Sequence, residues 1–174
     1  MLAGGLWAWS GAAHAKAASL LPLPRYVSLK RPVTNVRAGP STDYPIRWIY
    51  RKQGLPVEIV SQYGSWRRIR GSDGADGWVN AVLLTSRRTA LIMPWRPGTI
   101  NLKARPKEQG RIVARLQSRV LVRPHSCDRT WCFVTVRGQE LEGYIRQSSL
   151  WGVYPDEVIA GKSLWRSVSS LIGD

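Results

Sequence analysis

The chain has 174 residues, enough for one medium domain or two small ones, and its 44% hydrophobic and 21% charged residues exclude wholesale disorder. Its formal charge of +15, carried by twenty arginines against six lysines, favours polyanionic partners: a carboxylate-rich cell wall, anionic lipid or nucleic acid. The positive charge is spread evenly, with a surplus of +6 over residues 25 to 86 and +7 over residues 87 to 157, whereas a nucleic-acid-binding arm usually has one local basic block. The alternative explanation of the high charge is an arginine-rich proteome.

The first 19 residues, MLAGGLWAWSGAAHAKAAS, form a short apolar run that ends in small residues. Ala13-His14-Ala15 and Ala15-Lys16-Ala17 both fit a small-x-small cleavage site, and the run is too short to span a membrane. No lysine or arginine precedes the run, which leaves an uncleaved apolar arm or a truncated start as alternatives. We interpret residues 1–19 as a secretory signal peptide and expect a periplasmic or secreted protein without a transmembrane span.

Short runs rich in Val, Ile, Trp and Tyr follow, and Gly, Pro, Asp and Ser separate them, as in a sandwich or a small barrel. GSDGADG, at residues 71–77, has the composition of a hairpin loop. No long stretch before residue 156 sustains a helical period, which makes a parallel α/β sheet improbable. The sequence predicts six strands in this part of the chain, at 25–30, 33–37, 46–50, 55–62, 65–70 and 76–80.

The same pattern returns 66 residues later, and self-similarity at a fixed period indicates one structural unit used twice. The aligned pairs are Asn35 with Asn101, Val36 with Leu102, Arg37 with Lys103, Ala38 with Ala104, Pro40 with Pro106, and Gly77-Trp78-Val79 with Gly143-Tyr144-Ile145. The second set of predicted strands is 88–93, 99–103, 112–116, 119–124, 131–136 and 142–146.

We therefore predict an all-β protein with two tandem small barrels, at residues 24–86 and 87–157. Closing the strands removes exposed edges, which matters for a unit near the lower size limit of a stable core. The linker 81–90 is short, which predicts that the two barrels are held in a fixed or semi-fixed arrangement. In the tail 158–174, Val158, Leu164, Trp165, Val168 and Leu171 fit one face of a C-terminal helix, and a partner-binding helix and a loose end are the alternatives.

The two cysteines, Cys127 and Cys132, flank four turn-like residues, a spacing that suits a disulfide across the base of a hairpin. Export makes that bridge plausible. A metal site needs four ligands at tetrahedral spacing, and only His125 lies nearby in the sequence, so no metal and no cofactor are expected.

The motifs NVRAGPSTDYP, GLPVEIV, SWRRIR and DGWVNAVLL together resemble a bacterial Src-homology-3-like domain, or SH3b domain. The second unit is similar in weaker form, with NLKARP, RTWCFV and EGYIRQSSL, and departs from the pattern at Arg105 and Tyr144. The resemblance extends over residues 24 to 157, and the ending LWGVYPDE, at residues 150–157, is similar to that of tandem members found in exported proteins of Gram-negative bacteria. It implies two SH3-like barrels, each with a loop that flanks a ligand groove.

That loop is AGPSTDYP in the first unit, which places the candidate groove residues around it: Arg37, Tyr44, Trp48 and Trp66. Arginine can clamp a carboxylate in bidentate fashion, and aromatic faces can pack on sugars or on peptides. Solvated strand arginines and structural tryptophans are the alternative interpretation of the same residues.

Catalysis is not expected, because His125 is the only histidine after the presumed signal and bridging Cys127 to Cys132 removes the thiol nucleophile. The resemblance implies a non-catalytic exported module that associates with peptidoglycan. The alternative is an envelope assembly module that binds an extended peptide of a partner protein. Nucleic-acid binding by a small basic barrel is a third, less favoured hypothesis, because the export signal weighs against it.

Overall fold

The computed structural model describes residues 21–161, and these form strands and turns with two short 3-10 segments, at Ala81–Leu83 and Gln147–Ser149. The predicted signal peptide, residues 1–19, lies outside the described residues. None of the helical segments between residues 21 and 161 has the length and apolar character needed to cross a membrane.

The first unit is a seven-stranded antiparallel sheet that occupies residues 25–85. Side chains that alternate between the two faces of the strands set its core. In WRRIR, Ile69 is fully buried and its neighbours Arg68 and Arg70 are exposed. In DGWVN, Val79 is fully buried and its neighbours Trp78 and Asn80 are partly exposed. The strands are β1 Arg25–Leu29, β2 Thr34–Arg37, β3 Ile46–Tyr50, β4 Pro56–Tyr63, β5 Trp66–Arg70, β6 Asp76–Asn80 and β7 Leu84–Thr85, in the spatial order β3-β2-β6-β5-β4-β1-β7.

The second unit is an eight-stranded sheet that occupies residues 90–159. Its core contains Leu102, Val122, Val134 and Ile145, all fully buried. The strands are β8 Ala90–Ile92, β9 Thr99–Lys103, β10 Ile112–Gln117, β11 Leu121–Asp128, β12 Trp131–Val136, β13 Glu142–Arg146, β14 Leu150–Trp151 and β15 Val158–Ile159, in the order β10-β9-β13-β12-β11-β8-β14 with β15 added to β11.

The two sheets have the same topology, since each strand of the first seven has its counterpart seven strands later in the same spatial position. The predicted repeat is thus a structural repeat, and the all-β prediction is confirmed. The barrels are not closed, however. In the first sheet the terminal strands β3 and β7 do not pair with each other, and β10 and β14 of the second sheet do not either, within residues 21–161.

The predicted C-terminal helix is wrong where it can be compared with the structure. Val158 and Ile159 form β15, which pairs antiparallel with Asp128 and Cys127 at the end of β11. Strand β11 extends three residues beyond its bulge, and its free edge there accepts a short strand. The rest of the predicted helix, from residue 162, lies outside the described residues.

The predicted disulfide is present. Cys127 and Cys132 are direct cross-strand partners on β11 and β12, with their Cα atoms 4.1 Å apart. The turn between them is held by the Asp128 carboxylate, which accepts hydrogen bonds from the backbone N–H groups of Thr130 (2.9 Å) and Trp131 (2.7 Å). These bonds favour the charged form and hold the pKa of Asp128 below its usual value.

Reduction of this disulfide is expected to lower the free energy of unfolding by about 2 kcal/mol, since a small ring restricts the unfolded chain only modestly. Urea unfolding of oxidised and reduced protein measures the difference. The pair Cys127→Ala and Cys132→Ala is the control, because its stability should not respond to reductant. Two free thiols in unreduced protein recovered from an oxidising compartment would contradict the assignment.

Polar contacts join the two units at their junction. The Thr89 hydroxyl donates to the carbonyl of Gly54 (2.6 Å) and lies 2.7 Å from the Ser28 hydroxyl. Arg137 donates to the carbonyl of Gln53 (2.7 Å). These contacts connect the second unit to the turn before β4, so the backbone of the first unit is tied directly to side chains of the second.

An aromatic cluster and a buried carboxylate complete the junction. The Tyr26 ring lies 5.2 Å from that of Trp151 and 4.6 Å from that of Tyr154. Tyr154 donates its hydroxyl to Glu58 (2.8 Å), whose other oxygen accepts from the Arg70 Nε (2.9 Å). Burial, with the nearby Glu58 charge, raises the pKa of Tyr26 to about 12. Direct contacts therefore join the two units.

Candidate ligand-binding site

The loop predicted to flank a groove in the first unit is internally hydrogen-bonded. The Arg37 guanidinium donates to the carbonyls of Thr42 (2.8 Å) and Tyr44 (2.7 Å). Ser41 donates its hydroxyl to the Asp43 carboxylate (2.8 Å). One amino group of Arg37 therefore holds the loop in shape, which makes Arg37 a positioning residue for this surface.

Tyr44 and Trp48 differ in exposure. The Tyr44 side chain is 47% exposed, and its ring covers Gly39, where an added Cβ would lie 2.6 Å from ring atoms. Trp48 pairs with the buried Val36, packs against the core of the first unit, and carries the Arg47 guanidinium 5.6 Å from its ring centre. Tyr44 is thus the accessible aromatic of this loop, while Trp48 is partly buried against the core of the first unit.

Trp66 is not part of the same group. It lies on β5, which is separated from β2 by β6, and it pairs with Tyr63 and Asn80. Of the four predicted groove residues, the structure places Arg37 and Tyr44 in contact, Trp48 on the following strand and Trp66 two strands away.

Register relates the outer faces of the two sheets, because antiparallel partners project to the same face. The bulge in β4 and the equivalent bulge in β11 preserve the match between the units. The row across the first unit is Ser61, Arg68, Trp78 and Arg37; the equivalent row across the second is Ser126, Phe133, Tyr144 and Lys103.

The second unit carries an aromatic row on this face, formed by His125, Phe133 and Tyr144. Ring centres are 6.0 Å apart between His125 and Phe133 and 5.1 Å apart between Phe133 and Tyr144. His125 occupies the bulge of β11, and its Nε2 lies 2.7 Å from the Thr135 hydroxyl. Phe133 and Tyr144 remain partly exposed.

Trp131, on the same face, is covered by cations. Lys103 Nζ lies 5.5 Å from its ring centre and the Arg146 guanidinium lies 4.4 Å away. Both cations bond Glu108, with Lys103 Nζ at 3.1 Å and Arg146 Nε at 2.6 Å, and these bonds hold the pKa of Glu108 below its usual value. Trp131 is only 8% exposed, so its role is structural.

A cleft of about 810 Å³ opens at the junction of the two units, and we call it the junction cleft. Hydroxyls of Ser28, Thr85, Thr89 and Thr135 and backbone at Gly54 and Gly138 contribute to its walls. None of its described lining residues is Asp or Glu. Its basic lining residues are Lys30, Arg31, Arg87, Arg88, Arg123, His125 and Arg137.

Two of these cations, Arg88 and Arg137, form hydrogen bonds within the protein. Arg88 donates to Glu157 (2.8 and 3.0 Å) and to the carbonyl of Gly152 (2.6 Å), and Arg137 bonds the first unit. Burial pushes the pKa of Glu157 upward, yet the bonds from Arg88 and from the backbone of Tyr154 hold it below its usual value.

The other four cations of the cleft are Lys30, Arg31, Arg87 and Arg123, and none forms an ion pair within residues 21–161. Burial, then the charge of Arg123, lowers the pKa of His125, while Glu142 opposes that effect. Neutral His125 therefore contributes little to the field at neutral pH, and an anion bound in the cleft would raise its pKa.

The sequence prediction missed the junction cleft. Its cations come from residues 30–31, 87–88, 123 and 137, which form no motif and meet only through the packing of the two units. The aromatic row did leave a signal, since the alternation in WCFV and EGYI puts Phe133 and Tyr144 on the face opposite the core. In the described part of the chain, no group of three His, Cys, Asp or Glu side chains could hold a metal ion.

Comparison with protein families gives two matches to the same sequence model, described as Bacterial SH3 domain, at residues 30–85 and 96–152. Each match falls within one of the two sheets. No curated protein matches the chain significantly.

Solved structures with detectable similarity include NlpC1 from Trichomonas vaginalis, with 20% identity over 77% of this chain and a TM-score of 0.31. NlpC2 from the same organism has 15% identity over 74% of this chain and a TM-score of 0.33. An NlpC/P60 family protein from Bacillus cereus ATCC 10987 has 12% identity over 72% and a TM-score of 0.32. The chain spans about half the length of these proteins, at 48%, 48% and 55%.

Proposed function

The chain belongs to the bacterial SH3 domain family, and we propose that it is a non-catalytic, exported module that associates with the cell wall by binding peptidoglycan. The observation that carries the proposal is the junction cleft, where four cations that form no ion pair within residues 21–161 face a space whose described lining contains no carboxylate. A cavity of this kind attracts anions by its field and can bind them by direct hydrogen bonds.

Peptidoglycan suits the cleft chemically because its stem peptides carry carboxylates. Arg31 and Arg123 approach the cleft from different units and can each bind one carboxylate in bidentate fashion. The Thr85 hydroxyl and the exposed backbone of Gly138 can bond the amide groups of a peptide, whereas the hydroxyls of Ser28, Thr89 and Thr135 are already hydrogen-bonded within the protein. A ligand with charges and amides uses both parts of the lining, whereas a bare inorganic anion uses only the cations.

The loop surface of the first unit provides a second contact region in this proposal. Tyr44 offers an accessible ring there, and Arg37 keeps the loop in place. Because Trp48 packs against the core, Tyr44→Ala is the variant that probes this surface without removing core packing.

Binding of an extended peptide from an envelope protein is the second candidate function, and one observation favours it. Strand β3 is the terminal strand of the first sheet, and Ile46 and Ile49 on it are 44% and 39% exposed. An open edge with exposed apolar side chains is the surface on which strand addition occurs.

Sedimentation of the protein with insoluble peptidoglycan tests the proposal. The pair Arg31→Glu and Arg123→Glu should weaken binding by about tenfold for each arginine lost, since each loses a charge-assisted hydrogen bond. The pair Arg51→Glu and Arg111→Glu changes net charge equally at exposed positions outside the cleft and should have a much smaller effect.

A salt series separates the field from direct contacts. At 1 M salt, with a Debye length of ~3 Å, attraction between exposed charges is largely screened, and direct contacts should preserve part of the binding. Wild-type protein that does not sediment, or a control pair that loses as much as the cleft pair, would show that the proposal is wrong.

A further inference from the structure

We propose that the aromatic row of the second unit, from His125 through Phe133 to Tyr144, is a stacking surface for the sugar rings of a glycan whose acidic substituents occupy the junction cleft. The inference rests on the proposed function and deepens it, because it assigns the neutral backbone of the ligand and its charged groups to two adjoining surfaces. The predicted groove of the first unit has no part in it.

The row and the cleft are continuous through shared residues. His125 and Thr135 line the cleft, and His125 is also the first ring of the row. From there the rings follow three neighbouring strands, β11, β12 and β13. A linear ligand that leaves the cleft past His125 therefore meets Phe133 and then Tyr144 without crossing a loop.

The spacing of the rings follows from the sheet, since neighbouring strands lie about 4.8 Å apart. Observed separations of 6.0 and 5.1 Å are close to that value and similar to the rise of one pyranose ring in an extended glycan. The apolar C–H face of a sugar packs well on an aromatic ring. Partial exposure of Phe133 and Tyr144 leaves ring surface available for that contact.

The surface is specific to the second unit. Where the second unit has Phe133, the register of the first unit places Arg68, which is paired with Asp76. The first unit therefore has Trp78 between Arg68 and Arg37 in place of adjacent aromatic rings. The repeat supplies the scaffold twice, but the adjoining rings occur on one copy.

Charge along the row favours a glycan over a single-stranded nucleic acid. A nucleic acid carries a phosphate at each nucleotide and needs cations beside the stacked bases. Beyond Tyr144 the row ends at Lys103, which is bonded to Glu108, and Glu142 lies beside Thr135 on the same face. Neither Phe133 nor Tyr144 has an unpaired cation as its cross-strand partner within residues 21–161, which suits a neutral backbone with acidic groups at one side.

Neutral oligomers of N-acetylglucosamine test the row without contribution from charge. Titration at high salt, followed by the ring resonances of His125 in NMR spectra, should show saturable shifts. His14 is the only other histidine of the chain, so the assignment needs one variant, His125→Gln. Phe133→Leu and Tyr144→Leu should each weaken binding roughly three- to tenfold, the range expected for one aromatic contact.

Trp78→Leu is the matched control, because Trp78 has the register position of Tyr144 in the first unit, and it should leave the affinity unchanged. Thermal unfolding of each variant verifies that the fold is retained. Absence of oligomer binding by the wild type, or equal losses in Trp78→Leu and Tyr144→Leu, overturns the inference. So does a single-stranded oligonucleotide that binds more tightly than the glycan and depends on Phe133.

The two proposals fail separately. Sedimentation with peptidoglycan that does not respond to Phe133→Leu or Tyr144→Leu supports the wall assignment and overturns the stacking surface. Binding of the neutral oligomer through Phe133 by a protein that does not sediment with peptidoglycan supports the stacking surface and overturns the wall assignment.

Discussion

Replacement of Gly152 by alanine is expected to lower the free energy of unfolding by about 3 to 4 kcal/mol, because two unfavourable effects coincide there. Gly152 has φ +116°, a conformation that side-chain-bearing residues rarely adopt. An added Cβ would also lie 2.5 Å from the carbonyl oxygen of Thr89 and 3.1 Å from Pro56 Cβ. These atoms belong to backbone and to a proline ring at the junction, so they cannot move aside cheaply.

Gly138→Ala separates the two effects. Gly138 has φ +82°, but an added Cβ there meets no atom within 4 Å. The Gly138→Ala variant should lower the free energy of unfolding by only about 1 to 2 kcal/mol, because only the strain of the left-handed conformation applies there. Urea unfolding of both variants at neutral pH gives the comparison. Equal losses at the two positions would show that close packing at Gly152 contributes nothing to stability.

Strand positions were predictable from sequence where burial alternates along a strand. In β6, Val79 is buried and its neighbours are partly exposed, and β13 repeats this pattern at Ile145. Period-two alternation bounded by Gly and Asp reports local structure without knowledge of the partner strands. The 66-residue repeat then predicts the strands of the second unit from those of the first, although the second unit lacks some of the motif residues.

Closure and the chain end were not predictable in the same way. Whether β3 meets β7 depends on curvature and strand stagger, which the order of apolar residues does not encode. The sequence predicts a helix from Val158 because Leu164 and Trp165 follow at helical spacing. The free edge of β11 determined the conformation of Val158 and Ile159 instead, and a two-residue strand leaves almost no periodic signal.

The candidate site shows the same division between local and long-range information. The motif correctly indicated a structured loop, but Arg37 hydrogen-bonds loop carbonyls, and hydrogen-bond partners cannot be read from residue type. Arg31 and Arg123 are 92 positions apart in the sequence (123 − 31 = 92) and line one cleft only because the two units dock. Docking is specified by single contacts such as that of Tyr154 with Glu58, which no sequence pattern reveals.

Those docking contacts predict sensitivity to alkali. Burial raises the pKa of Tyr26 to about 12 from an ordinary value of 10.0, and burial together with the hydrogen bond to Glu58 also raises the pKa of Tyr154. Both phenols therefore hold their protons more strongly in the folded than in the unfolded chain. Their contribution is fully present below pH 10 and is lost as the pH rises from 10 towards 12.

Ionisation of the two tyrosines should together lower the free energy of unfolding by about 3 kcal/mol across that interval, after allowing for solvent screening. Urea unfolding at pH 7, 10 and 11.5 measures the loss. Lysines titrate in the same range, so the comparison that isolates Tyr26 is the difference between wild type and Tyr26→Phe. This variant keeps the ring contacts with Trp151 and Tyr154 and should match the wild type at pH 7 while losing less at pH 11.5.

Tyr63→Phe is the control for the alkaline experiment, since the Tyr63 side chain is 69% exposed and its removal should leave the pH profile unchanged. Tyr154→Phe should differ from both. It deletes the hydrogen bond to the buried Glu58 carboxylate, which costs about 1.5 to 3 kcal/mol already at pH 7. It also removes one titrating phenol, so its further loss of stability at pH 11.5 should be smaller than that of the wild type. If Tyr26→Phe and Tyr63→Phe lose stability in parallel with the wild type, the junction does not control the alkaline response, and unfolding in alkali must begin elsewhere in the two sheets.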